Sequence, residues 1–131
     1  MANILIAEDD QSMCSFLTLA LEKAGHTVKA TYNGTDAWDA IQSANPPYDL
    51  LLTDIVMPGM DGIELSNKAT AALPDLKLMF ITGFAAVAME NKSLDQEKAK
   101  VLSKPFHLKD LVDQVEVLLS TPNSKTPIKN A

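Results

Sequence analysis

Five short apolar runs alternate with segments whose apolar residues repeat at helical spacing, and this alternation constrains the possible folds more than any other feature. The runs are Ile4-Leu5-Ile6-Ala7, Thr27-Val28-Lys29-Ala30, Leu50-Leu51-Leu52-Thr53, Leu76-Lys77-Leu78-Met79-Phe80-Ile81 and Lys100-Val101-Leu102. The central runs are apolar at consecutive positions, as parallel strands covered on both faces must be. Between them, Met13, Phe16, Leu17, Ala20, Leu21 and Ala24 predict a helix that Gly25 closes in a left-handed conformation. Thr35 is expected to cap a short helix carrying Ala37, Trp38 and Ile41, which halts before Pro46-Pro47. A further helix is expected over residues 62–73, stopped by Pro74. Residues 85–89 are apolar nearly all round and predict a short or irregular helix, with a mobile loop after it up to Gln96. Leu108, Leu111, Val112, Val115, Leu118 and Leu119 trace the buried stripe of a last helix. The architecture implied is α/β, a doubly wound five-stranded parallel sheet with five helices.

At 131 residues, of which 47% are hydrophobic, the chain has the material for one packed domain. That domain is placed at residues 1–119. Residues 120–131, with Pro122, Asn123, Ser124 and Pro127 and no apolar stripe, read as a disordered tail. All eleven basic residues are lysines and the net charge is −6. Without arginine the chain lacks the side chain best suited to bidentate reading of bases and phosphates, and its charge repels polyanions and anionic membranes. Proteins or small cations are the expected partners. Cys14 is the single cysteine, so no internal disulfide can form and a buried, inert thiol is expected. The apolar start runs straight into Glu8-Asp9-Asp10, and no apolar run reaches the roughly 20 residues of a membrane helix. A cytoplasmic location is the resulting expectation.

In an open parallel sheet, ligands bind beyond the carboxyl ends of the strands. Those ends carry Glu8, Asp9 and Asp10, then Asp54, Thr82 and Lys104. Carboxylates gathered in one crevice repel one another unless a proton or a cation intervenes, and a hard divalent ion such as Mg²⁺ suits a shallow oxygen site. The ammonium of Lys104 and the hydroxyl of Thr82 fit the oxygens of a phosphoryl group on Asp54. Asp10 reads more simply as the start of the first helix. His26 and His107 are expected at the surface, His26 beside a helix end. Trp38 is expected to pack or half-pack.

With these segments in hand, the chain resembles the receiver domains of two-component response regulators. The likeness is carried by Ile4-Leu5-Ile6-Ala7-Glu8-Asp9-Asp10, Leu52-Thr53-Asp54-Ile55-Val56-Met57-Pro58-Gly59-Met60-Asp61-Gly62, Phe80-Ile81-Thr82-Gly83 and Lys104-Pro105-Phe106, and it spans residues 3 to about 119. The resemblance implies a flavodoxin-like, CheY-like sheet of order 2-1-3-4-5. It implies Asp54 as phosphoacceptor, with Mg²⁺ held by Asp9, Asp54, the Val56 backbone carbonyl and, through water, Glu8. It further implies Thr82 and Lys104 as switch and phosphate-binding residues, Gly83 and Phe84 as a switch loop, and a cis bond before Pro105. Glu8 stands where aspartate is commoner, and Val101 stands where many receivers carry the aromatic that swings inward on phosphorylation. The implied partners are a histidine kinase or a histidine phosphotransferase. Leu51 to Pro58, Met79 to Ala88 and Lys100 to Leu108 further resemble the CpdR family of single-domain regulators, whose unphosphorylated form engages the ClpX unfoldase and promotes ClpXP proteolysis. A monomer or weak dimer is expected. A phosphorelay intermediate, a regulator of another partner and a metal-dependent phosphohydrolase remain as alternative readings; loops too short for a substrate pocket weigh against the last.

Overall fold

A computed structural model of the chain describes residues 2–57, 59–82, 99–103 and 106–120. In chain order the elements are β1 (Asn3–Ala7), α1 (Gln11–Lys23), β2 (Thr27–Thr31), α2 (Gly34–Ser43), β3 (Leu50–Asp54), α3 (Gly62–Ala72), β4 (Lys77–Thr82), β5 (Ala99–Ser103) and α4 (Leu108–Ser120). All strand pairs are parallel, and the sheet order is β2-β1-β3-β4-β5. The expected short helix over 85–89, its loop, and the tail from 121 onward lie outside the described residues.

Alternate side chains of each strand point to opposite faces, so the sheet divides the core in two. Leu5, Ala7, Leu51 and Phe80 pack with Ala37 and Ile41 of α2 and Leu65 and Ala69 of α3. On the other face, Ile4, Ile6, Leu50, Leu52, Met79 and Ile81 meet Cys14, Leu17 and Leu21 of α1 and Leu111, Val115 and Leu118 of α4. Every residue of β3 is buried, which is why that strand is apolar without alternation. Trp38 is half-buried against the first cluster, with the Lys68 ammonium 5.7 Å from its ring centroid.

The helix ends follow local chemistry. Asp10 caps α1 by accepting from the Met13 amide at 3.1 Å. At its other end Gly25, with φ +101°, lets the Gly25 and His26 amides donate to the carbonyls of Glu22 and Leu21. Three expectations need correction here. Phe16 does not share the buried stripe of α1. It is 58% exposed, because Cys14, Leu17 and Leu21 already fill the face toward the sheet and Phe16 projects from another side. Asn33, not Thr35, caps α2, its Oδ1 accepting from the Asp36 amide at 2.7 Å. Gly34 therefore lies inside the helix, where an added Cβ would meet the Met60 carbonyl oxygen.

His26 is the third correction. It is buried and bridges three elements at the amino-terminal edge of the sheet. Its Nδ1 accepts from the Ala2 amide at 3.2 Å, and its Nε2 lies 2.7 Å from Glu116 Oε2 on α4. Because Nδ1 is an acceptor, Nε2 carries the hydrogen and donates to the carboxylate. His107 is exposed, as expected, and its carbonyl accepts from the Leu111 amide. Among the described residues no helix is long and apolar enough to cross a membrane.

Candidate functional site

The register between β1 and β3 pairs Ala7 with Thr53, so the residue after each, Glu8 and Asp54, emerge side by side at the carboxyl end of the sheet. Oxygens of Glu8, Asp9 and Asp54 all lie within 4.8 Å of one another. Glu8 is fully buried, Asp54 is 7% exposed, and Asp9 stands at the solvent rim. The Glu8 amide prolongs the β1–β2 pairing by donating to the Thr31 carbonyl at 3.1 Å. Its side chain folds back on the turn, where Oε2 accepts from the Asp10 amide at 3.0 Å. Strand, turn and helix cap thus all bear on the position of Glu8.

The segment after Asp54 is held closely against α3. Ile55 and Met57 are buried while the Val56 side chain between them is exposed, so the chain grips the core on both sides of Val56. The Gly62 amide donates to the Ile55 carbonyl at 2.8 Å, and an added Cβ at Gly62 would strike the Asp54 carbonyl oxygen. Gly59 takes a positive φ of +74°, and Asp61 caps α3 through the Glu64 amide at 2.8 Å. Thr53, buried on the same strand, donates its hydroxyl to the Asp54 carbonyl at 2.8 Å. Neither Thr53 nor Gly62 stands out in the sequence as a site residue. A threonine in an apolar strand reads as β-branched filling, and a glycine before a helix reads as a loop end.

Thr82 ends β4, on the strand beside Asp54, and pairs with Ser103 of β5. Val101 lies opposite Phe80 and packs half-buried against the α2–α3 core. Lys104, Pro105, Gly83 and Phe84 lie outside the described residues, as does the Lys104–Pro105 bond expected to be cis.

Three carboxylates so close, two of them buried, form a strongly negative pocket. Oxygens this close suit a small hard cation such as Mg²⁺, which Asp9 and Asp54 could hold directly and Glu8 through water. The field of the pocket reaches Cys14, whose thiol is pushed up from its ordinary value, first by burial and then by the Glu8 charge. A thiol raised only in the folded state stays protonated while its unfolded counterpart ionises. Stability contributed by this group is therefore complete below the ordinary thiol range and falls as pH rises through it. Denaturant titrations across that alkaline range are expected to give a shallower decline for Cys14→Ala than for the parent. Parallel slopes would remove the thiol from the account.

Comparison with known proteins agrees with this geometry. The profile of the response regulator receiver domain matches residues 4–116, and the chain belongs to that family. It is 58% identical over 119 residues to the response regulator receiver protein CpdR of Brucella abortus (strain 2308), covering 91% of this chain and 98% of that protein. A CheY-like receiver domain protein from Methanospirillum hungatei JF-1 superposes with a TM-score of 0.81 at 28% identity, covering 91% of this chain and 94% of that one. The response regulator TrrA of Thermotoga maritima, solved in complex with Mg²⁺-BeF, gives a TM-score of 0.76 at 27% identity, with 90% and 99% covered. The CheY-like sheet order expected from the resemblance is thus borne out, and the family is one of receivers rather than of catalytic enzymes.

Proposed function

We propose that the chain is a phosphorylation-controlled protein-interaction switch in which Asp54 accepts a phosphoryl group from a histidine kinase or histidine phosphotransferase. The observation that carries this reading is the convergence of Glu8, Asp9 and Asp54 at adjoining strand ends, within 4.8 Å. An Asp54 carboxylate oxygen attacks the phosphorus of a phosphohistidine. The P–N bond breaks as the P–O bond forms, and the donor ring, already protonated on its other nitrogen, takes the P–N electron pair and leaves as neutral imidazole. Asp9, Asp54, the Val56 carbonyl and, through water, Glu8 would hold Mg²⁺. That ion, when bound, supplies charge neutralisation at the phosphoryl oxygens. Lys104 and Thr82 take the remaining oxygens, their ammonium and hydroxyl countering charge that builds during transfer.

For output, the 58% identity to a CpdR protein favours a CpdR-like role. The unphosphorylated face binds ClpX and promotes ClpXP proteolysis, and phosphorylation weakens that contact. Val101 cannot reproduce an aromatic rotamer switch, so the signal passes through Thr82 and residues 83–96, beginning with Gly83 and Phe84. Residues 1–119 form the receiver on this reading, and the protein acts in the cytoplasm. Binding to ClpX, measured with and without Mg²⁺ and beryllofluoride, is expected to weaken in the loaded state by about 5- to 150-fold. Equal affinity in both states would end the ClpX proposal and leave the phosphoacceptor assignment to be judged on its own labelling experiment.

A further inference from the structure

Thr53 stands out because its hydroxyl touches the two residues that bracket the expected ligand carbonyl. Its side chain is fully buried. The hydroxyl donates to the Asp54 carbonyl at 2.8 Å and lies 4.0 Å from the Met57 sulfur. Between those contacts run Ile55 and Val56. The Ile55 carbonyl is itself taken by the Gly62 amide at 2.8 Å, and the Gly62 α-carbon abuts the Asp54 carbonyl so closely that a Cβ there would collide with it.

We propose that Thr53 is a positioning residue for the cation and phosphoryl site, fixing the Asp54 peptide through its hydroxyl and thereby the relative placement of the Asp54 carboxylate and the Val56 carbonyl. The chemistry requires such control. Mg²⁺ demands near-ideal octahedral geometry, and Asp54 and Val56 are separated by only one residue whose two peptide planes could otherwise rotate. Packing holds the Ile55 and Met57 side chains, while Val56 between them is 59% exposed and presents no side chain to the core. A hydroxyl hydrogen bond on one carbonyl and an amide hydrogen bond on the next restrain both planes. A valine in place of Thr53 would fill the same space without donating.

The inference rests on the reading of Asp54 as a ligand and phosphoacceptor, and its test separates the two. Mg²⁺ affinity is measured by calorimetry on the full chain for the parent, Thr53→Val and Thr53→Ser, well below the melting transition of each. Loss of the hydroxyl in Thr53→Val is expected to weaken Mg²⁺ binding by about tenfold, the lower end for partners that orient metal ligands. Thr53→Ser, which keeps the hydroxyl, is expected to restore it. Amide exchange at Ile55 to Met57 should quicken in Thr53→Val and not in Thr53→Ser. If Thr53→Val does not fold, Thr53→Ala against Thr53→Ser isolates the hydroxyl in the same way. Equal Mg²⁺ affinity with and without the hydroxyl would overturn the proposal even if Asp54 is labelled normally. Failure of the parent to be labelled at Asp54 would instead count against the phosphoacceptor reading.

Discussion

Incubation with acetyl phosphate and Mg²⁺ is expected to place one phosphoryl group on Asp54 of the parent chain and none on Asp54→Asn. The three clustered acids do not compete on equal terms. Glu8 is folded back so that Oε2 accepts from the Asp10 amide, and Asp9 stands out at the exposed rim. Asp54 ends the central strand, between the acids that follow β1 and Thr82 at the end of β4. An asparagine keeps the shape but lacks the anionic oxygen that must form the new P–O bond, so the loss is complete rather than partial. Intact-mass spectrometry measures the adduct, and its lability to base and to hydroxylamine identifies an acyl phosphate. A mapped adduct on Glu8 or Asp9, or undiminished labelling of Asp54→Asn, would refute the assignment. Calorimetry on the same variant should show impaired Mg²⁺ binding, since one of the three clustered carboxylates has become an amide.

The second large effect concerns the loop that carries Val56. Gly62→Ala is expected to lower stability by about 3 kcal/mol, at the upper end for overpacking, because the new methyl meets a backbone oxygen that cannot swing aside. An added Cβ at Gly62 would collide with the Asp54 carbonyl oxygen. Either α3 retreats from β3 or the Asp54 peptide turns, and both movements disturb the acidic site. Gly34→Ala meets the Met60 carbonyl oxygen just as closely and should cost a similar amount while leaving the contact at Asp54 untouched. Thermal melting should show both variants lowered by about 10 °C for a domain of this size. Mg²⁺ affinity should fall more in Gly62→Ala than in Gly34→Ala. A Gly62→Ala protein that melted with the parent would show that the α3 contact yields easily.

The sheet and the acidic site were legible because both are written in local pattern. Three consecutive leucines in a run as short as β3 fit a strand covered on both sides, and acids at the ends of β1 and β3 converge once those strands are parallel neighbours. Thr35 was read as the cap of α2, whereas Asn33 takes that place and Gly34 becomes the first helical residue, its bare α-carbon set against the Met60 carbonyl by an approach that no local pattern encodes. His26 was misread for a related reason, as its partners lie 24 and 90 residues away in sequence. Nothing beside a helix-ending Gly-His announces that the ring will be enclosed. Phe16 followed the helical period of α1, yet Cys14, Leu17 and Leu21 are the residues of that helix buried against the sheet, with Met13 partly buried beside them. Thr53 shows the limit most clearly: its place in the third strand was evident from the sequence, but the acceptor of its hydroxyl was not.

The contact between His26 and Glu116 ties α4 to the chain that enters β1 and β2. The anchor sits at the edge of the sheet remote from the acids, and the other end of the helix begins at Leu108, just after β5. From beside that contact back toward Leu108, the helix is seated by Leu118, Val115 and Leu111, all fully buried against the sheet. The histidine therefore ties the far end of a helix whose other end opens just after β5, so a single polar contact and an apolar seam together set the angle at which α4 crosses the sheet.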